Sequence, residues 1–324
     1  MFKTAEKNKV KPDTILKTFW RDNDRFADLF NAALFGGEQV LNPRDLTEVD
    51  TDVSSFLKFN GHAETVQKVL DVVKKTAYGV DFVIWGLENQ AKIHYAMPLR
   101  HMLGDCFSYL KEYNEIAARN RAEKGFESSD EFLSNLKKTD RLHPVVSLCV
   151  YYGEKEWDGP FCLTDMLEIP EKLKSLVSDY KMNLIEVRNS EPLRFHNPDV
   201  DTVFDVSRSI YERNFDKINT IYRDKIIPAE LGVVIGAITE SQKLIDQALK
   251  SEKEGGQINM CGALEELVDK GRQEGMQKGM QKGILANIRT CKTFHISKED
   301  TIKNIAKEFS LPEEDAIEYV EKYW

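Results

Sequence analysis

The chain has 324 residues, of which 41% are hydrophobic and 31% charged, and its formal net charge is −9. That length suits one main domain with appendages, and the hydrophobic share is enough for a core. The acidic balance excludes a protein that coats nucleic acid through bulk charge. It leaves room for a DNA enzyme, which needs clustered carboxylates for a cation and only a local basic surface for phosphate.

Cys106, Cys149, Cys162, Cys261 and Cys291 are scattered, with no CxxC pair and no zinc spacing. Such usage reads as reduced thiols in a cytoplasmic setting. The N-terminus has no apolar signal core, and no stretch nears the roughly 18 apolar residues of a membrane span, so no membrane partner is expected.

In chain order, residues 1–20 are Lys-rich and read as a loose arm. From Asp22 the apolar residues Phe26, Leu29, Phe30, Ala33 and Leu34 recur at helical spacing until Gly36-Gly37. Residues 41–62 are turn-rich, with a strand or loop near Val49 to Leu57. AETVQKVLDVVKK begins with helix-compatible residues and ends in a β-branched run, and Gly79 marks a turn before the strand DFVIWGLEN. A helix with two small breaks follows from Tyr95 to Glu123, with Pro98 near its start. PVVSLCVYYG at 144–153 reads as a buried strand, WDGP as a turn and YKMNLIEVR at 180–188 as another strand. Residues 200–226 and 228–251 have the pattern of amphipathic helices. This order predicts an α/β domain with a mixed sheet. In the tail, Gly271, Gly275, Gly279 and Gly283 recur every four residues among Gln, Lys, Glu, Arg and Met. Each glycine costs a helix about 1 kcal/mol relative to alanine, so a helix here needs another one packed on the glycine stripe. Two short helices close the chain, with Ser297 and Ser310 at cap positions.

One constellation carries chemistry. In a hairpin over 69–90, Asp71 lies on the first strand and Glu88 and Gln90 near the end of the second. Residues two apart on a strand share a face, and pairing around Gly79 brings Asp71 alongside. Two converging carboxylates suit a hard divalent cation such as Mg²⁺, and a neutral amide at the third position can hydrogen-bond an attacking water. Such a D-x-E-x-Q pattern with a long first spacer also arises by chance as solvated hairpin ends.

Longer strings narrow the choice. LENQAKIHYAMPLRHMLGDCFSYL (87–110), FADLFNAALFGGEQV (26–40), HPVVSLCVYYGEKEWDGP (143–160) and the glycine tail resemble the recombination-promoting nuclease and putative transposase family (Rpn), of the PD-(D/E)XK superfamily. The resemblance implies a bacterial endonuclease tied to recombination, mobile elements or phage defence. It implies an α/β restriction-endonuclease-like core with a mixed central sheet flanked by helices, plus a helical C-terminal tail. Double-stranded DNA is the implied partner and Mg²⁺ the cofactor, with Mn²⁺ as substitute. Asp71 matches the aspartate of the motif, Glu88 its second acid, Gln90 the lysine position, and Asp28 an acid that adds a metal contact. Leu70 stands at the motif's proline, where only backbone geometry is at stake, while Gln90 replaces a charge with an amide. The alternative is a weak or inactive nuclease fold that binds DNA or protein.

Arg100 and His94 flank the site and suit phosphate, Arg100 equally a bridge to Glu88 or Asp105. Lys111, Arg119 and Arg121 suit a DNA track or a solvated helix face. Tyr95 and Met97 read as core, and Tyr151, Tyr152 and Trp157 as packing or turn residues. The expected organisation is an arm at 1–20, the nuclease-like domain at 21–255, the glycine repeat at 256–290 and a small helical element at 291–324. The repeat reads as a linker, a length-variable repeat or an oligomerisation segment, the last pairing two copies as a homodimer.

Overall fold

The computed structural model describes residues 11–48, 55–59, 62–66, 72–76, 81–85 and 92–324, and of 55–59, 62–66, 81–85 and 265–278 it describes the backbone alone. Contacts divide the chain into two compact units, Met1–Met260 and Cys261–Trp324.

The first unit opens with α1 (Pro12–Trp20) and α2 (Asn23–Leu34), then β1 (Thr47–Glu48), β2 (Ser55–Phe59), β3 (His62–Val66), β4 (Val72–Lys75) and β5 (Asp81–Trp85). It continues with α3 (Met97–Glu123), α4 (Ser129–Ser134), β6 (Val145–Tyr151), β7 (Asn183–Glu186), α5 (Pro198–Tyr211) and α6 (Phe215–Ile221). β8 (Ile226–Pro228), α7 (Ala229–Ile238), α8 (Gln242–Glu254) and β9 (Gln257–Asn259) complete it. The five cysteines form no disulfide.

Several elements depart from the sequence reading. The expected arm is a helix from Pro12 onward, with Ile15, Leu16, Phe19 and Trp20 buried. Those four positions fall on one helical stripe, which burial in the tertiary fold stabilises despite the lysines around it. The helix-compatible start of AETVQKVLDVVKK is strand β3, paired antiparallel with β2; a hairpin partner outweighs local propensity there. α3 runs unbroken through Gly104. The helix expected after Asp22 is α2, and Asp22 caps it by accepting the Arg25 N–H at 3.0 Å.

The main sheet has the order β1, β4, β5, β6, β7. β1, β4 and β5 are antiparallel neighbours, and β5, β6 and β7 are parallel. The sheet is therefore mixed, as expected. Helices cover both faces. Ser147, Cys149 and Tyr151 alternate along β6 and meet α3 through Met97 and His101. Tyr152, on the other face, accepts the indole N–H of Trp20 at 2.7 Å, and buried Lys74 on β4 donates to the Arg21 carbonyl at 2.7 Å. Arg25 fastens that helical layer, with its guanidinium 2.7 Å from Asp199 on α5 and 2.8 Å from Glu230 on α7.

Carboxylates hold the long connection from β6 to β7. Asp165 accepts the N–H groups of Phe161 and Cys162 at 2.8 and 3.1 Å, and Asp179 those of Thr164 and Tyr180 at 3.0 and 2.9 Å. These backbone donors keep both carboxyls below their ordinary pKa of 3.8. A depressed acid pKa stabilises the fold above the unfolded value, and that stabilisation is lost as pH falls through the folded one. Amide exchange at Phe161 and Thr164, corrected for intrinsic rates, should stay flat from about pH 7 to 5 and accelerate below about pH 4. Asp165→Asn should remove the acid sensitivity at Phe161, and acceleration that persists in the variant would contradict this account.

The second unit holds most of α9 (Met260–Thr293), with α10 (Lys298–Glu308) and α11 (Glu313–Tyr323). The glycine repeat is helical throughout. Ile284 and Ile288 of α9 pack with Ile305, Ala316 and Val320. At Gly283 a Cβ would stand 2.9 Å from the Phe309 ring, so the missing side chain admits that ring, whereas Gly279 has nothing within 4 Å. Ser297 caps α10 through the Asp300 N–H at 3.1 Å. Ser310 does not cap α11; Pro312 occupies that position, and Glu313, Glu314 and Asp315 fill the first turn. Among the described residues no helix is long and apolar enough to cross a membrane.

Candidate functional site

In open sheets with parallel strands, ligands bind in the crevice beyond the carboxyl ends of those strands. Here β5, β6 and β7 end on the same side, with Trp85 paired to Cys149 and Tyr151 to Glu186. β4 runs the opposite way and begins there, its first residue Val72 paired with Ile84 one residue before β5 ends. The segment preceding Val72 and the segment following Trp85 therefore join the sheet at one end. In sequence these carry Asp71, and Glu88 with Gln90. Those three residues themselves lie outside the described ones.

Beside this end lies a cleft of about 480 Å³. Lys92, Ile93 and Tyr95 line it from the segment leading into α3, and Tyr151 from the end of β6. Lys155 and Asp158 come from the loop after β6, and Glu240 from beyond α7. Tyr95 is 62% exposed, and its hydroxyl donates to Asp158 Oδ1 at 3.1 Å. That bond, with the charge of Asp158, raises the Tyr95 pKa. Tyr151, buried against Trp157 with ring centroids 5.2 Å apart, is pushed up by burial first and by Glu186 and Asp158 next.

Asp28 is 4% exposed on α2. Its Oδ1 accepts the His196 N–H at 2.9 Å, while Oδ2 is buried with no hydrogen-bond partner among the described residues. A buried carboxylate oxygen of that kind suits a hard cation, which takes oxygen ligands. Asp28 also helps raise the pKa of Asp201, after burial and Asp205. Among the described residues no cluster of three or more His, Cys, Asp or Glu side chains could by itself hold a metal.

A second polar cluster superficially resembles a Ser-His-Asp site. Ser147 Oγ lies 3.3 Å from His101 Nδ1 and donates to Asp105 Oδ2 at 3.1 Å, and Tyr180 donates to the same oxygen at 2.5 Å. A nucleophilic serine must give its proton to the imidazole; this one gives it to the acid. His101 is fully buried, with Ser147 4% and Asp105 7% exposed. The cluster is a brace that ties α3 to β6 and to the stretch before β7. Burial and the bond to Asp105 push the Tyr180 pKa far up.

The flanking basic residues are spread out. His94 is exposed, and its Nδ1 accepts the Ala96 N–H at 3.2 Å, a local stop before α3. Arg100 and Lys111 are half-buried on α3, and Arg119 and Arg121 are exposed near its end. Positions two apart on a helix point about 200° away from each other, so Arg119 and Arg121 do not share one stripe. Met97 is core, as expected, and of the two readings for Tyr151, Tyr152 and Trp157, packing or turn, their burial gives packing. Tyr95 is not core; it stands before the helix begins, where helical spacing carries no information, and faces the cleft. The nearest sequence signal was Pro98, which marks the first turn of α3 and so puts Tyr95 ahead of it.

These features define a mixed α/β protein with a crevice at the carboxyl ends of its parallel strands. Residues 124–226, about a third of the chain, match the family model described as putative transposase, YhgA-like. Over this segment the chain is similar to a transposase-like family, in keeping with the resemblance its motifs carry. No curated protein and no solved structure gives a significant match. The matched segment holds α4, β6, β7, α5 and α6, and it lies downstream of Asp71, Glu88 and Gln90.

Proposed function

We propose that the protein is a metal-dependent DNA endonuclease with a PD-(D/E)XK-type core. Asp71 and Glu88 hold Mg²⁺ or Mn²⁺, Asp28 assists, and Gln90 orients a water for attack on a phosphodiester. The observation that carries this reading is the strand register: Val72 pairs with Ile84, so the chain entering β4 and the chain leaving β5 meet the sheet at one end. Carboxylates carried by the segments next to two adjacent strands would make an oxygen-rich site of the kind Mg²⁺ accepts. Asp28, whose buried Oδ2 has no hydrogen-bond partner among the described residues, is the third acid of this reading. A bound Mg²⁺ would supply Lewis-acid polarisation of the phosphodiester and a more acidic water. Gln90 can donate to or accept from that water but adds no charge, so acceptance of its proton falls to another group or to solvent.

Purified protein should nick supercoiled plasmid in Mg²⁺ or Mn²⁺. EDTA should stop the reaction, and readded metal should restore it. Folded protein that leaves plasmid intact across divalent cations would remove the reading.

A further inference from the structure

The cleft that Tyr95 faces adjoins the proposed metal site in sequence and lies at the sheet end where β5 and β6 finish. Lys92 follows Gln90 by two residues, and Tyr151 ends the strand β6 that pairs with β5. Its lining has three chemical parts. Tyr95 offers an exposed aromatic ring, and its bond to Asp158 at 3.1 Å restrains that ring. Lys92 and Lys155 are exposed ammonium groups at its rim. Glu154 and Glu240 are exposed carboxylates that also line it.

A duplex does not fit this combination. Its phosphates would meet carboxylates as well as lysines, and its bases are already stacked and paired. A single unpaired nucleotide fits each part. Its base can stack on the Tyr95 ring, the sequence-tolerant contact that single-strand binders use. Carboxylates accept from exocyclic amino groups, as in their contacts with cytosine. The lysines suit the phosphates on either side. A volume of about 480 Å³ lies within the usual range for small-ligand pockets, so it can take a base with its sugar. From these features we infer that the cleft binds one unpaired, amino-bearing nucleotide of the DNA, holding a bulged, frayed or flipped strand next to the cleavage site. This rests on the proposed nuclease function and names its substrate class: DNA with a locally unpaired base. Adenine and cytosine fit the carboxylates better than thymine, which presents no exocyclic amine.

The test separates the two readings. In EDTA, binding is measured with oligonucleotide duplexes carrying 2-aminopurine, either paired or as a one-nucleotide bulge. The full-length protein should bind the bulge about tenfold more tightly than the paired duplex, with quenching of the bulged fluorophore as it stacks. Tyr95→Ala should erase both the preference and the quenching; Tyr95→Phe, which keeps the ring, should retain most of each. Lys92→Glu, at an exposed position, should weaken binding to the bulge in a salt-dependent way. A thymine bulge should bind more weakly than an adenine bulge. Equal affinity for bulged and paired duplexes, or quenching that survives Tyr95→Ala, would overturn the inference. The same duplexes incubated with Mg²⁺ report on cleavage by itself. Bulge binding without cleavage would keep the cleft and remove the nuclease, whereas cleavage without bulge preference would do the reverse.

Discussion

Alanine at either Asp71 or Glu88 is expected to abolish Mg²⁺-dependent nicking. The expected loss is about 10²–10³-fold or more, because a bound cation contributes several kcal/mol of charge stabilisation at the transition state and each 1.36 kcal/mol is tenfold in rate. Removing one acid leaves the other to hold the ion alone, so the single variants should be nearly as inactive as the double. Asp28→Asn is the finer probe. Its remaining oxygen can still accept the His196 N–H, which Asp28 Oδ1 now accepts at 2.9 Å. What changes is Oδ2, the buried oxygen with no partner among the described residues. If Asp28 helps hold the ion, the Mg²⁺ concentration needed for half-maximal nicking rises while thermal stability changes little. Full nicking by both Asp71→Ala and Glu88→Ala would end the assignment of the site.

The second large effect concerns the N-terminal helix. Trp20→Ala should destabilise the first unit by about 3–5 kcal/mol, the usual cost of deleting a buried large aromatic side chain. Trp20 is fully buried and donates to Tyr152 Oη at 2.7 Å. It also stands edge-on to Phe19 at 4.8 Å and to Phe204 at 6.3 Å. Alanine loses the packing and leaves the Tyr152 hydroxyl without its donor. Against a total stability of about 5–15 kcal/mol, that loss is a large fraction. Urea denaturation should move to a markedly lower midpoint with an unchanged slope, and removal of residues 1–20 should leave protein unable to fold. A truncated chain that unfolds at the wild-type midpoint would contradict this. Tyr152 sits at the carboxyl end of β6, so the same variant should also disturb the cleft.

Local pattern decided much of the fold. The apolar run at 144–153, the β-branched residues of β4 and β5, the stripe in α2 and the serine cap of α10 each form what their spacing dictates. Periodicity and capping act within a few residues, which is why they can be read without a partner. Where an element depends on a distant neighbour, the reading failed. Residues 12–20 look like an arm until Phe204 and Tyr152 are in place to bury Trp20, and His62–Val66 is a strand because Ser55–Phe59 pairs with it. Glycine at 283 is tolerated in α9 because Phe309, from another helix, occupies the space of its missing side chain.

The same division holds for the chemistry. Residue types and spacing single out Asp71, Glu88 and Gln90, and the family resemblance adds Asp28; a carboxylate's affinity for a cation belongs to the residue itself. Only the tertiary structure decides that β4 begins where β5 ends, that one oxygen of Asp28 is buried without a partner, and that Tyr95 faces a cleft. Strand direction, burial and concavity come from segments far apart in the chain, and no local pattern encodes them.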